Sequence, residues 1–225
     1  MSIKTIERKV LQKNDEVAVE NRRFFNEHDI LALNLVSSPG SGKTSLLEQT
    51  LATLKDRVKT AVVIGDVQTS LDAERLEQFD VPTIQLVTNG SCHLEAPLVR
   101  DTLDEIDADA TELLFIENVG NLVCPAGFDL GEAMKVVIAS TTEGDDKPLK
   151  YPAMFRNASV LVINKTDLLP YLNCDIEALR ENALRINPAL TIFETSCTNG
   201  EGVDQWCDWL EKQVRERAWQ TEEST

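Results

Sequence analysis

The chain has 225 residues and carries 38 Asp and Glu against 22 Lys and Arg, a formal charge of −16. That length buries a sizeable core and suits one α/β domain with an N-terminal appendage better than two independent domains. So acidic a surface argues against DNA, RNA or an anionic membrane as the main partner, because binding by counterion release requires clustered Lys and Arg.

No start-proximal apolar run resembles a signal peptide, and none reaches the roughly 18 residues of a membrane span, so a cytoplasmic protein is expected. Five cysteines, at 92, 124, 174, 197 and 207, are odd in number and scattered. Free thiols are expected rather than a disulfide framework.

In chain order, residues 1–28 place Ile3, Ile6, Val10, Leu11, Val17, Phe24 and Phe25 at spacings that partly fit an amphipathic helix or helix pair, and predict a helical N-terminal arm. His28 reads as an exposed helix-end residue. The main domain then spans 29–218, with a polar, flexible tail at 219–225. Within it, β-rich runs are predicted at 30–36, 60–65, 83–87, 113–116, 135–139, 159–163 and 191–195. They alternate with helical segments at 44–54, 72–78, 94–106, 176–185 and 203–217, the last two capped at Asp175 and Gly202. This rhythm predicts an α/β fold: a mostly parallel sheet with helices on both faces, whose ligands sit at the carboxyl ends of the strands.

The first strand-like run ends in Ser37-Ser38-Pro39-Gly40-Ser41-Gly42-Lys43-Thr44 and opens a helix. This is the context of a phosphate-cradling loop, which places the domain among P-loop, G-domain-like NTPases. Backbone N–H groups of Gly40, Ser41, Gly42, Lys43, Thr44 and Ser45 would face the phosphates. Lys43 would reach the β- and γ-phosphates, and the Thr44 hydroxyl would ligate Mg²⁺. The first motif position is Ser37 rather than Gly, which reduces backbone freedom at the loop entrance.

Asp66 closes the second run and reads either as an Mg²⁺ ligand or as a strand terminator. Asp72 reads either as a group ordering the attacking water or as a helix cap. At the fourth run, Glu117-Asn118-Val119-Gly120 follows the pattern of a γ-phosphate sensor with Glu in place of Asp. Gly120 would donate a backbone N–H, and Glu117 would hold a metal-bound water.

Asn164-Lys165-Thr166-Asp167 closes the sixth run. A carboxylate at Asp167 can accept from both N1–H and the exocyclic amine of guanine, a donor pair that adenine lacks. Lys165 would lie along the base and Asn164 would brace the loop. About thirty residues on, Ser196-Cys197-Thr198-Asn199-Gly200 sits where Ser196 and Cys197 can offer backbone N–H to the base oxygen.

Cys92, His93 and Cys124 remain. Two thiolates and an imidazole suit Zn²⁺ or Ni²⁺, but three donors leave a closed structural site incomplete, and water or a second subunit would have to finish it. The alternative is that they only pack. Cys174, Cys197 and Cys207 read as structural thiols.

Together, S-S-P-G-S-G-K-T, G-D-V-Q-T, N-G-S-C-H-L, E-N-V-G-N-L-V-C-P, E-G-D-D-K-P-L-K-Y-P and N-K-T-D-L, spread between Ile30 and Trp209, closely resemble the HypB family. These are the GTPases of [NiFe]-hydrogenase maturation that take part in nickel insertion. The resemblance implies a cytosolic metallochaperone with slow GTPase activity, using GTP/GDP and Mg²⁺. It implies a GTP-promoted homodimer with a nickel or zinc site at Cys92, His93 and Cys124. The implied partners are the hydrogenase large subunit or another nickel-maturation protein. It also points to Lys147 and Lys150 as a loop near nucleotide and dimer interface. Residues before 28 carry neither the cysteine cluster nor the histidine-rich stretch of some relatives, so nickel is expected at the core site. The alternatives are a urease-type nickel GTPase, which normally carries Cys-Pro-His; a regulatory GTP-binding module whose thiols only pack; and an ATP-dependent small-molecule kinase, which Asn164 and Asp167 disfavour.

Overall fold

The computed structural model describes residues 6–66, 71–88 and 90–222, with side chains for all of these except 6–10, 71–72 and 218–222. Seven strands form one sheet: β1 (Leu31–Ser37), β2 (Thr60–Asp66), β3 (Thr83–Val87), β4 (Leu113–Glu117), β5 (Met134–Ser140), β6 (Val160–Asn164) and β7 (Thr191–Thr195). Every pairing is parallel, in the order β3-β2-β4-β1-β5-β6-β7. The helices are α1 (Ile6–Glu27), α2 (Lys43–Leu54), α3 (Leu71–Leu76), α4 (Ala96–Arg100), α5 (Lys147–Lys150), α6 (Pro152–Arg156), α7 (Ile176–Ile186) and α8 (Val203–Glu222).

Period-two alternation along the strands sends side chains to two covered faces, as an all-parallel sheet requires. Leu33 and Leu35 of β1, Phe115 of β4 and Ile138 of β5 pack under Leu47 and Leu51 of α2 and Trp206 and Leu210 of α8. On the other face, Ala32, Val63 and Ile116 meet Phe25 of α1 and Val99 of α4. Leu161 and Ile163 of β6 meet Met154, Phe155 and Leu179. The buried indole of Trp206 satisfies its polar edge by donating to Thr50 Oγ1 at 3.0 Å.

The arm is a single 22-residue helix bound into the domain. Asn21 is fully buried and donates to both Ala96 O (2.9 Å) and Leu130 O (3.0 Å). Asn14 accepts from Ala96 N–H at 2.8 Å and donates to Asp129 O at 2.8 Å. Arg22 pairs with Asp129, which holds that carboxyl below its usual range against the opposing effect of burial. His28, expected to be exposed, is half-buried against Phe24, ring centroids 4.6 Å apart.

The segment 94–106 departs from the single helix predicted for it. Leu94 N–H is taken by Asn118 Oδ1 and Ala96 N–H by Asn14 Oδ1, so α4 starts only at Ala96. Six residues on, Thr102 turns its hydroxyl back to Val99 O at 2.7 Å, and short 3₁₀ turns replace the helix. At the other end α8 runs to Glu222, into the segment read as tail, because nothing from Ala218 on is Gly or Pro.

Asp175 caps α7 as expected, accepting from Glu177 and Ala178 N–H. Gly202 before α8 has φ +72°, and a Cβ there would sit 1.9 Å from Glu194 O. Left-handed strain and a backbone clash act together, so Gly202→Ala is expected to lower unfolding free energy by about 2–4 kcal/mol. Urea denaturation should show a lower midpoint with unchanged slope.

Candidate functional site

The carboxyl ends of β1, β2, β4 and β6 and the start of α2 surround a cleft of about 520 Å³. Gly40 and Gly42 take φ +75° and +98°, left-handed angles that let the chain turn sharply between β1 and α2. Ser37, the departure from the motif, lies at the end of β1 with ordinary backbone angles, so glycine is not needed there. Its buried hydroxyl accepts from Lys43 Nζ at 3.1 Å, aiming the ammonium across the loop.

Lys43 is also 3.8 Å from Glu117 Oε1, and the same oxygen accepts from Thr44 Oγ1 at 2.9 Å. Both charged groups are more than nine-tenths buried, so each offsets the other's desolvation. Asp66 and Gly120 line the same cleft. Gly120 lies hard against Pro39 of the loop, where a Cβ would be 3.2 Å from three of that proline's atoms. Asp72 stands in the first turn of α3, and its side chain lies outside the described residues, as do Val67, Gln68 and Thr69 of G-D-V-Q-T and Asn89 of N-G-S-C-H-L.

At the other end of the cleft, Asn164 is buried and donates to Ser41 O at 3.1 Å, while its Oδ1 accepts from Thr195 Oγ1 at 3.2 Å. Lys165 adopts φ +65° and lays its stem over the loop to reach Gly40 O at 2.6 Å. Asp167 accepts from Ser196 Oγ at 2.6 Å, and that hydroxyl in turn accepts from Thr198 and Asn199 N–H. N-K-T-D and the loop after β7 are therefore one unit joined to the phosphate loop. Burial pushes the Cys197 and Cys207 thiols up to about 11 each, which makes them inert packing groups.

The ligand atoms of Cys92, His93 and Cys124 lie within 4.8 Å of one another. Asn121 Nδ2 reaches Cys92 O at 3.3 Å, tying the two ligand-bearing segments together. Phe128 covers the imidazole, centroids 4.0 Å apart. Burial lowers the His93 pKa, partly countered by Glu95, so the ring is a neutral donor at neutral pH. A hydrogen bond to Cys124, then burial, pushes the Cys92 thiol up, so metal binding here must release a proton.

Sequence reasoning missed two groups. Arg75 of α3 lines the phosphate cleft, bonded to Glu48 and to Ser45 Oγ; no motif marks a single Arg in a short helix. The other is the buried pair Asn34 and Asn118, whose signal was an Asn inside an apolar strand. Of the two lysines that the resemblance pointed to, Lys147 folds inward between Glu143 (3.3 Å) and the Tyr151 ring (4.9 Å), and Glu143 receives the Ser41 hydroxyl. Lys150 stays exposed beside Asp146.

A parallel sheet with a strand–glycine loop–helix phosphate cradle at its carboxyl edge defines a nucleotide-binding domain of the P-loop class. The family model "CobW/HypB/UreG, nucleotide-binding domain" matches residues 31–194. Hydrogenase maturation factor HypB of Escherichia coli K12 is 53% identical over 92% of this chain and 72% of its own. The crystal structure of HypB from Archaeoglobus fulgidus superposes with TM-score 0.85 at 38% identity, covering 90% of this chain and 99% of that one. HypB from Helicobacter pylori, solved in complex with nickel, gives TM-score 0.85 at 39% identity, over 91% and 96%. The chain belongs to the HypB family of hydrogenase maturation factors. Among the described residues no helix is long and apolar enough to cross a membrane.

Proposed function

We propose that this chain is a cytoplasmic GTPase that carries nickel for [NiFe]-hydrogenase maturation, its metal affinity set by nucleotide state and by GTP-promoted homodimerisation. The reading is carried by one observation: the Cys92, His93 and Cys124 donors gather within 4.8 Å, and Cys124 lies on the chain that leaves β4 past Glu117 and Gly120.

In the proposed cycle Lys43 and the loop N–H groups receive the phosphates, and Asp167, held by Ser196, reads guanine. Thr44, Asp66 and Glu117 are hard oxygen donors around one end of the cleft and fit Mg²⁺, which when bound neutralises phosphate charge. A triphosphate would draw Lys43 and Thr44 away from Glu117 and engage Gly120 N–H. Asp72 would order the attacking water. The hydrolysis in this reading is slow, and these groups position the reactants and stabilise charge. Nickel, or zinc in its place, is cargo, held by two sulfurs and a neutral imidazole and passed to the hydrogenase large subunit or another maturation protein. A Lys147 reaching across a dimer would be drawn from its present pairing with Glu143.

Nickel and zinc titrations of wild type, Cys92→Ala and Cys124→Ala, with GDP and with a non-hydrolysable GTP analogue and with mass followed in solution, test this reading. Each substitution should weaken nickel binding by more than the roughly 10–100-fold produced by losing an outer-shell partner. Unchanged stoichiometry and affinity in both variants would make the thiols packing groups, and a preference for ATP would revive the kinase alternative.

A further inference from the structure

Asn34 stands in the middle of β1, between Leu33 and Leu35, where a sheet covered on both faces is normally apolar. Its amide accepts from Asn118 Nδ2 at 3.2 Å and donates to Glu132 Oε1 at 3.0 Å. Glu132 also accepts from Leu130 N–H (2.7 Å) and pairs with Lys135 at 3.7 Å. Lys135 Nζ donates to the carbonyls of Pro125 (3.1 Å) and Phe128 (3.0 Å), gripping the turn at Cys124–Gly127 and the residue that covers His93. From its other side Asn118 Oδ1 accepts the N–H of Leu94, next to His93, at 3.0 Å and that of Val119 at 3.0 Å. All four side chains are at least nine-tenths buried, and none of them lines the phosphate cleft.

Asn118 thus sits between Glu117, which holds Thr44 of the phosphate loop, and Val119 and Gly120, which line the cleft. We propose that Asn118 is the positioning residue that passes nucleotide state to the metal donors. One branch runs through Leu94 to His93, the other through Asn34, Glu132 and Lys135 to the Cys124 turn. This rests on the coupling of metal and nucleotide proposed above and adds its route. When Glu117 to Gly120 shift on nucleotide exchange, Asn118 must either carry Leu94 and Asn34 along or leave a buried donor unsatisfied. The second is costly, so the displacement is shared with both ligand-bearing segments. Apolar packing at these positions would transmit no such direction.

The test is nickel affinity of the full chain with GDP and with a non-hydrolysable GTP analogue, expressed as a ratio. The variants are Asn118→Ala, Asn34→Val and, as control, Asn187→Ala, which removes an amide that holds Phe155 O and Ala158 O and bonds to none of Asn34, Asn118, Glu132 and Lys135. Wild type should give a ratio of at least about fivefold. Asn118→Ala and Asn34→Val should bring it to within about twofold of unity while keeping wild-type nickel stoichiometry, and Asn187→Ala should leave it unchanged. Should Asn118→Ala fail to fold, Asn34→Val decides. A wild-type ratio retained in the folded variants overturns the route alone, and so does a ratio equally flattened by Asn187→Ala. A wild-type ratio of one overturns the underlying coupling, and the route with it.

Discussion

Asp167→Asn is expected to lower GTP affinity by about 10²–10⁴-fold, the loss of two charge-assisted hydrogen bonds of about 1.5–3 kcal/mol each. The same change should raise affinity for xanthine nucleotides, because the new amide can donate to the carbonyl that xanthine carries in place of the guanine amine. The loop itself should survive, since Ser196 Oγ can donate to an amide oxygen as it does to the carboxylate. Competition binding with GTP, XTP and ATP checks this directly. Unaltered discrimination between guanine and xanthine would remove Asp167 from base recognition.

Gly42→Ala should be the most damaging single change in the phosphate loop. With φ at +98°, a methyl group would lie 2.4 Å from Asn164 Nδ2, an atom already committed to Ser41 O. Asn164 cannot retreat without also releasing Thr195, so the clash breaks the junction between the phosphate cradle and the N-K-T-D loop. A stability loss of about 2–4 kcal/mol is expected, with nucleotide affinity lower by at least about 100-fold, as a misplaced positioning group can produce. Gly40→Ala is the internal comparison. Gly40 also has positive φ, but a Cβ there meets nothing within 4 Å, so only the conformational strain of about 1–2 kcal/mol applies. Urea unfolding and nucleotide titration of the two variants should therefore differ widely.

The strands were legible because an all-parallel sheet writes continuous apolar runs: β3 and β7 fall on their predicted residues, and β1, β2, β4, β5 and β6 shift at their ends by one residue. The positions of the phosphate loop and of N-K-T-D at strand ends around one cleft were legible because each motif has particular residues at fixed spacing after an apolar run. The gathering of Cys92, His93 and Cys124 was not, because it depends on β3 and β4 flanking β2 in the sheet, which periodicity does not encode. The resemblance to a family supplied that step. The 94–106 segment was misread because part of what bounds its helix is distant: Asn118 and Asn14 hold the N–H groups of Leu94 and Ala96 at its start, while Thr102 turns its hydroxyl to Val99 O past its end. Ser37 looked like a weakness of the loop, and only its backbone angles and its bond to Lys43 show why serine serves there.

The bond from Asn164 to Ser41 O joins segments 123 positions apart in the chain. It can form only where β5 lies on β1 and β6 on β5. The glycine loop thus has its abutment only when both halves of the sheet are joined. A ligand that binds only the completed site adds about 4 kcal/mol to that fold at a thousandfold excess over its dissociation constant, so occupancy of the cleft and integrity of the sheet are linked.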